Sequence, residues 1–219
     1  MDETDGDADG AANTDGDGDG DGDTASPLQA ESEREPASSP TANPDSPLGF
    51  AVVTVATSRS LDSDAAGEAV ETVLEDAGHE LATREHVGSD HDRVQSIVLR
   101  IIERDDVDVV VTAGATSVEP DDVVIEAVEP LLDKELAAFQ ELFTMLAYEE
   151  VGTRVVASRT LAGVAEGKPV FCLPGNADAA CLGTESIVLP EARHLVTIAN
   201  GHEDGTEGDD GVRDESEES

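Results

Sequence analysis

A chain of 219 residues with 51 Asp and Glu against 12 Lys and Arg carries a formal charge of −39. That balance excludes binding to nucleic-acid phosphates, which rests on basic groups, and the length allows one ordinary domain plus additional chain. No apolar run reaches the ~20 residues of a membrane span, and Cys172 and Cys181 lack metal-ligand spacing, so they read as reduced core residues.

The acids crowd into both ends: Arg34 is the sole Lys or Arg of residues 1–47, and Arg213 the sole one of residues 201–219. Residues 1–48 open without a basic start or an apolar segment, so no secretory signal is expected and the cytoplasm is the expected setting. The Gly-Asp run from Gly16 to Asp23 lacks the later glutamate and the flanking helices of a calcium-binding EF-hand loop. Segments 1–48 and 200–219 are expected to be disordered acidic tails, because they cannot bury enough apolar surface to offset chain entropy. The domain between them, 49–199, is itself acidic and holds both lysines of the chain, Lys134 and Lys168. Such a surface repels itself until molar salt shrinks the screening length to about 3 Å. A salt-loving organism is the expected source.

From Phe50 the texture changes. The run FAVVTVATS, Phe50–Ser58, is continuously apolar and β-branched, as a strand buried on both faces requires. Asp64–Ala77 spaces Ala66, Ala69, Val70, Val73 and Leu74 along one helical face and stops at Gly78. His79–Val87 reads as a second strand, Asp92–Glu103 as a second amphipathic helix and Asp106–Gly114 as a third strand. A short helix is expected at Val123–Val128 and a longer one at Lys134–Ala147, with Leu136, Phe139, Leu142, Phe143 and Leu146 inward. Arg154–Gly175 reads as two extended segments joined at Glu166–Lys168, and Asp178–Leu189 as a last helix closed by Pro190. Strands alternating with helices at this spacing mean βαβ crossovers and a mainly parallel sheet.

In such sheets ligands sit beyond the carboxyl ends of the strands, near a switch in strand order. That rule nominates the loops Thr57–Gly67, Gly114–Asp122 and Pro174–Asp178, and with them Thr57 and Ser58. Small residues after a strand let backbone amides approach a phosphate, and neighbouring carboxylates suit a hydrated magnesium ion bridging to it.

The stretch EPLLDKELAAFQELFTMLAYEEVGTRVVASRTLAGVAEGKPVFCLPG, Glu129–Gly175, resembles the MoaB/MogA family of molybdenum-cofactor biosynthesis proteins, and the likeness extends over Phe50–Ile198. The resemblance implies a three-layer αβα sandwich with a mostly parallel, mixed sheet. It also implies binding of molybdopterin as substrate or ligand, with adenylylation by ATP and Mg2+ in the catalytic members. A homotrimer or hexamer follows from it too, and it admits a molybdenum or tungsten insertase as partner. Carried over by position, the family's Thr-Gly-Gly-Thr-Gly loop falls on Ala113–Ser117, where Gly114 and Thr116 match and Ala115 and Ser117 depart. The aspartate important to activity and to the metal falls on Asp122, with Asp121 the fallback. The Asp-x-Ser-Gly element falls on Asp64–Gly67, which gives Asp64 a catalytic assignment beside Asp122. The acid after the second strand falls on Asp90, with Ser89 equally well placed, and the Pro-Gly-Asn turn on Pro174, Gly175 and Asn176. Asp178 stands where many members carry lysine, and its charge opposes an anionic ligand.

Each assignment has a structural rival. Asp122, Asp64 and Asn176 would also serve as helix N-caps, and Gly114 with Thr116 as a plain turn. Arg59 and Arg159 would hold a phosphate or a structural ion pair. His79, His86 and His91 are too scattered for zinc. Three functions follow: molybdopterin adenylylation, non-catalytic pterin binding, or a structural and interaction module with an eroded pocket.

Overall fold

The computed structural model describes residues 46–56 and 64–201. The expectations for the greater part of both tails, and for Thr57, Ser58 and Arg59, fall outside these residues. Within them six strands run in chain order: β1 Gly49–Val55, β2 Glu80–Val87, β3 Val109–Ala113, β4 Lys134–Glu135, β5 Leu161–Ala165 and β6 Lys168–Leu173. The helices are α1 Ala65–Asp76, α2 His91–Ile102, α3 Val124–Val128, α4 Ala137–Val151, α5 Ala177–Gly183 and α6 Leu189–Ala199.

The strands form one mixed sheet in the order β2-β1-β3-β6-β5-β4. The first four are mutually parallel, and β5 and β4 add antiparallel pairs at one edge. Side chains alternate across β1. Phe50 and Val52 join Val70, Leu74, Phe143 and Val188 on one face; Ala51, Val53 and Val55 join Val94, Val98, Ile101 and Val124 on the other. Helices α1, α4, α5 and α6 therefore cover one face and α2 and α3 the other, giving the three-layer sandwich. The chain leaves β1 for β2 on one side and returns to β3 on the other, so the order switches at the carboxyl ends of β1 and β3.

Three expected elements are corrected. Lys134–Glu135 is not helical but pairs with Gly163–Val164 as an edge strand, because Asp133 and Leu136 amides donate to the Val164 and Ala162 carbonyls at 2.8 Å each. Helix α4 thus starts later, and Leu142, expected inward, is 50 % exposed. Segment Gly152–Ala157 forms 3-10 turns rather than extended chain. Pro190 does not end the last helix: a π turn at Thr184–Val188 joins α5 to α6, and Pro190 sits in the first turn of α6. The wider turn spares the carbonyl that a proline ring meets in regular helix. Just before Gly49, Leu48 is buried in the core, and Arg193 donates to the Ser46 carbonyl.

Candidate functional site

The carboxyl ends of β1, β3 and β6 frame a cavity of about 430 Å3. It brings together Gly114, Thr116, Ser117, Asp121, Asp122, Pro174, Gly175 and Asn176 of the residues named from the sequence, and adds Glu119 and Ser158. Two glycines make the convergence possible. Gly114 has φ +103°, and a Cβ there would lie 2.3 Å from the Val55 carbonyl oxygen; one on Gly175 would lie 2.9 Å from the Gly114 Cα. The loops after β3 and β6 therefore cross backbone to backbone, an approach open only to glycine.

The turn after β3 is strained where glycine is missing. Ala115 adopts φ +51°, a conformation that L residues other than glycine rarely take. Its amide and that of Thr116 have no acceptor among the described residues, whereas the Gly114 amide donates to Leu173. Successive amides in a turn of positive φ make an anion-binding concavity.

Asp122 does not cap α3, whose N-cap residue, Val123, makes no side-chain hydrogen bond. Its Oδ2 instead accepts the Ser117 amide at 2.7 Å, stapling the turn. Arg159 lies behind it, with Nη2 2.6 Å from Glu126 Oε1 and Nη1 3.5 Å from the Ser117 carbonyl. Burial would push the Glu126 carboxyl up, but Arg159 outweighs it and holds the group below its ordinary value. The Ser89 hydroxyl donates to the Asp121 carbonyl, so the loop after β2 also anchors this one.

Asp64 and Asp90 are placed differently, and neither lines the cavity. Asp64 is fully buried and caps α1, accepting the Gly67 amide at 3.0 Å and the Arg84 guanidinium at 3.2 Å. Arg84 also holds Glu71 at 2.6 Å. The Thr54 hydroxyl lies beside the same carboxylate, outside ordinary hydrogen-bond geometry. Burial opposes the charge on Asp64, yet Thr54, the Gly67 amide and Arg84 together hold its carboxyl below the usual value. Asp90 is exposed and caps α2, accepting the Arg93 amide at 2.9 Å. Asn176 combines both uses: it caps α5 through the Ala179 amide at 3.1 Å and lines the cavity.

A larger cavity of about 760 Å3 adjoins the first and shares Ser158, Pro174 and Asn176 with it. Phe143, Ala147, Val155 and Leu182 give it an apolar wall, while Arg154, Glu150, Asp178 and Glu185 add charge. Sequence reasoning missed Ser158 and Glu119 of the site and Arg84 behind Asp64. Arg84 was legible as a scarce cation within a strand; Ser158 becomes a wall residue only through the 3-10 turns before it.

No group of three or more His, Cys, Asp or Glu among the described residues could hold a metal by itself, and no helix there is long and apolar enough to cross a membrane. Magnesium, however, takes one or two carboxylates and completes its shell with water and phosphate. Asp122, Asp121 and Glu119 fit that limited demand.

A doubly wound sheet with a glycine-crossed pocket at its switch point defines an α/β protein with its small-molecule site at that point. The chain belongs to the family described as "Probable molybdopterin binding domain", which matches residues 51–194. It is 39 % identical over 145 residues to molybdenum cofactor biosynthesis protein B of Bacillus cereus, covering 66 % of this chain and 86 % of that one. A crystal structure of a molybdenum cofactor biosynthesis protein B superposes with a TM-score of 0.69 at 36 % identity, over 71 % of this chain and 97 % of that one. The tungsten cofactor synthesizing protein MoaB of Pyrococcus furiosus gives a TM-score of 0.64 at 32 % identity, over 72 % and 98 %. The chain's general role is the one these relatives share, molybdenum or tungsten cofactor biosynthesis.

Proposed function

We propose that this chain binds molybdopterin and Mg-ATP and adenylylates the pterin. The observation that carries the reading is the turn after β3, where the Ala115 and Thr116 amides lack acceptors among the described residues beside the carboxylates of Asp121 and Asp122. Amides for phosphate next to oxygen donors for magnesium are what nucleotidyl transfer asks of a protein. In the reaction a terminal phosphate oxygen of the pterin bonds to the α-phosphorus of ATP, the bond from that phosphorus to the bridging oxygen breaks, and pyrophosphate leaves with the electron pair. The attacking oxygen is already anionic, so the protein positions the partners and neutralises charge. Magnesium, when bound, supplies charge compensation on the phosphates; Asp122 is the residue to hold it, with Asp121 or Glu119 beside it. The cavity of about 430 Å3 is small for nucleotide and pterin together, and the adjoining one of about 760 Å3 gives the second partner room.

The test is pyrophosphate release from ATP, made dependent on molybdopterin and magnesium and run in molar salt. Release is expected with the wild type and should fall about 10²-fold or more in Asp122→Asn, the scale of losing one key electrostatic group. If the wild type binds the pterin without releasing pyrophosphate, the chain is a non-catalytic pterin binder, the reading favoured by Ala115, Ser117 and Asp178. Homotrimeric or hexameric assembly is part of the proposal. It is supported by the face of α4 that leaves Leu142 50 %, Met145 67 % and Tyr148 52 % exposed. Light scattering showing only monomer in molar salt would remove it.

A further inference from the structure

Ser117 is gripped from both sides. Its carbonyl faces Arg159 at 3.5 Å, and Arg159 is itself pinned to Glu126. Its amide donates to Asp122 Oδ2 at 2.7 Å, while the Asp122 backbone amide donates to the Glu119 carbonyl at 3.0 Å. The backbone around Ser117 and Asp122 is therefore held, and the Asp122 side chain is the part free to turn about its own bonds.

The Ser117 amide closes the turn whose preceding amides, those of Ala115 and Thr116, have no acceptor among the described residues. In an anion-binding turn, successive amides converge on one ligand. The Asp122 carboxylate thus stands where an oxygen of that anion would take its third donor. A charge-assisted bond of this length is among the stronger ones, and a cation that draws on the Asp122 carboxylate competes with the Ser117 amide for it.

We propose that Asp122 is a latch that couples cation to anion at this site. Its carboxylate occupies the Ser117 amide until a divalent cation draws it away, so a polyphosphate gains that third donor only together with the cation. The inference rests on the reading of the pocket as a phosphate site. It adds a sign which that reading lacks: without metal, Asp122 obstructs the anion, and with metal it assists. By linkage, the factor by which the cation strengthens the anion is the factor by which the anion strengthens the cation.

The experiment is calorimetric titration of the full chain with pyrophosphate in molar salt, with magnesium and with chelator. In chelator, Asp122→Ala should bind pyrophosphate at least about fivefold more tightly than wild type, the low end of ordinary coupling. With magnesium the order should reverse. Glu119→Gln and Asp121→Asn each remove a negative charge from the same cavity but leave the Ser117 bond, so their gains in chelator should be smaller. A gain in Asp122→Ala no larger than theirs is plain charge relief and overturns the latch. A wild type that binds no pyrophosphate even with magnesium overturns the phosphate reading and the latch with it. The second readout is the Ser117 amide resonance of the wild-type chain on adding magnesium alone. The latch requires it to shift as the carboxylate leaves; an unchanged resonance at saturating magnesium overturns it, even if Asp122→Ala does not fold.

Discussion

Two aspartates stand at carboxyl ends of neighbouring central strands, Asp64 after β1 and Asp122 after β3, and the fold uses them in opposite ways. Asp64 is fully buried and surrounded by an amide, a guanidinium and a hydroxyl. A carboxylate has about four acceptor positions, and at Asp64 the Gly67 amide and the Arg84 guanidinium take one on each oxygen. Asp122 is half-buried and accepts a single amide, so acceptor capacity remains for something else. The same residue type at equivalent topological positions is thus a structural tie in one loop and an available ligand in the other. What separates them is how completely the protein itself satisfies the carboxylate.

The largest effect expected from this contrast is on stability. Asp64→Ala removes the α1 cap and leaves Arg84 with Glu71 alone, and should cost about 2–4 kcal/mol, the worth of an N-cap together with a charged hydrogen bond. Asp122→Asn should stay within about 0.5 kcal/mol of wild type, as for a substitution away from the core. Thermal melts in molar salt give both values, and equal losses would dissolve the contrast. The pH dependence gives a second view of Asp64. Its carboxyl is held below the ordinary value of 3.8, so the unfolded chain takes up this proton before the folded one does. The stabilisation is complete above 3.8 and is lost as the pH falls through the folded-state value. Asp64→Asn should lack that acid limb. Melting curves of the two proteins that stay parallel down to the acid transition would mean the carboxylate is not the group being titrated.

Much of this contrast was legible in the sequence, and the part that was not has a physical cause. The spacing of Val70, Val73 and Leu74, and the β-branched run of β1, give the helix and strand directly, since burial imposes those periods. The loops at the switch point follow from strand order. Local pattern fails where tertiary pairing wins. Lys134 and Glu135 lie in a helical-looking stretch but are drawn into an edge strand by β5, and Pro190 reads as a stop yet is absorbed by a π turn. At the site, the sequence offers capping or catalysis for Asp122, and the structure shows a third use, a bond to Ser117. Side-chain to backbone bonds across a five-residue turn leave no periodic signature, so no pattern in the sequence announces them.

A smaller effect separates Asp90 from the site. The family resemblance places it, or equally Ser89, at the ligand, but Asp90 caps α2 and lines neither cavity. Asp90→Ala should therefore cost about 1 kcal/mol of stability, the usual worth of an N-cap, and leave nucleotide affinity at its wild-type value. A loss of affinity greater than the loss of stability would return Asp90 to the ligand and blur the line between tie and site.

The smallest effect tests the turn that Asp122 staples. Ala115 holds φ +51°, where a left-handed residue other than glycine costs roughly 1–2 kcal/mol. Glycine removes that strain but loses roughly 0.5–1 kcal/mol more to chain entropy on folding. The two terms oppose each other, so Ala115→Gly should raise stability by about 1 kcal/mol or less. The neighbouring Gly114 shows that strain is not the whole matter, because its Cβ would strike the Val55 carbonyl at 2.3 Å; Gly114→Ala should destabilise while Ala115→Gly stabilises. If the turn is a phosphate cradle, Ala115→Gly should also tighten nucleotide binding by removing a side chain beside the two amides that have no acceptor among the described residues. Paired melts and titrations of the two variants separate these contributions. Unchanged affinity in Ala115→Gly, alongside the expected gain in stability, would mean that the methyl group does not obstruct the ligand, and that this departure from the family's glycine leaves binding intact.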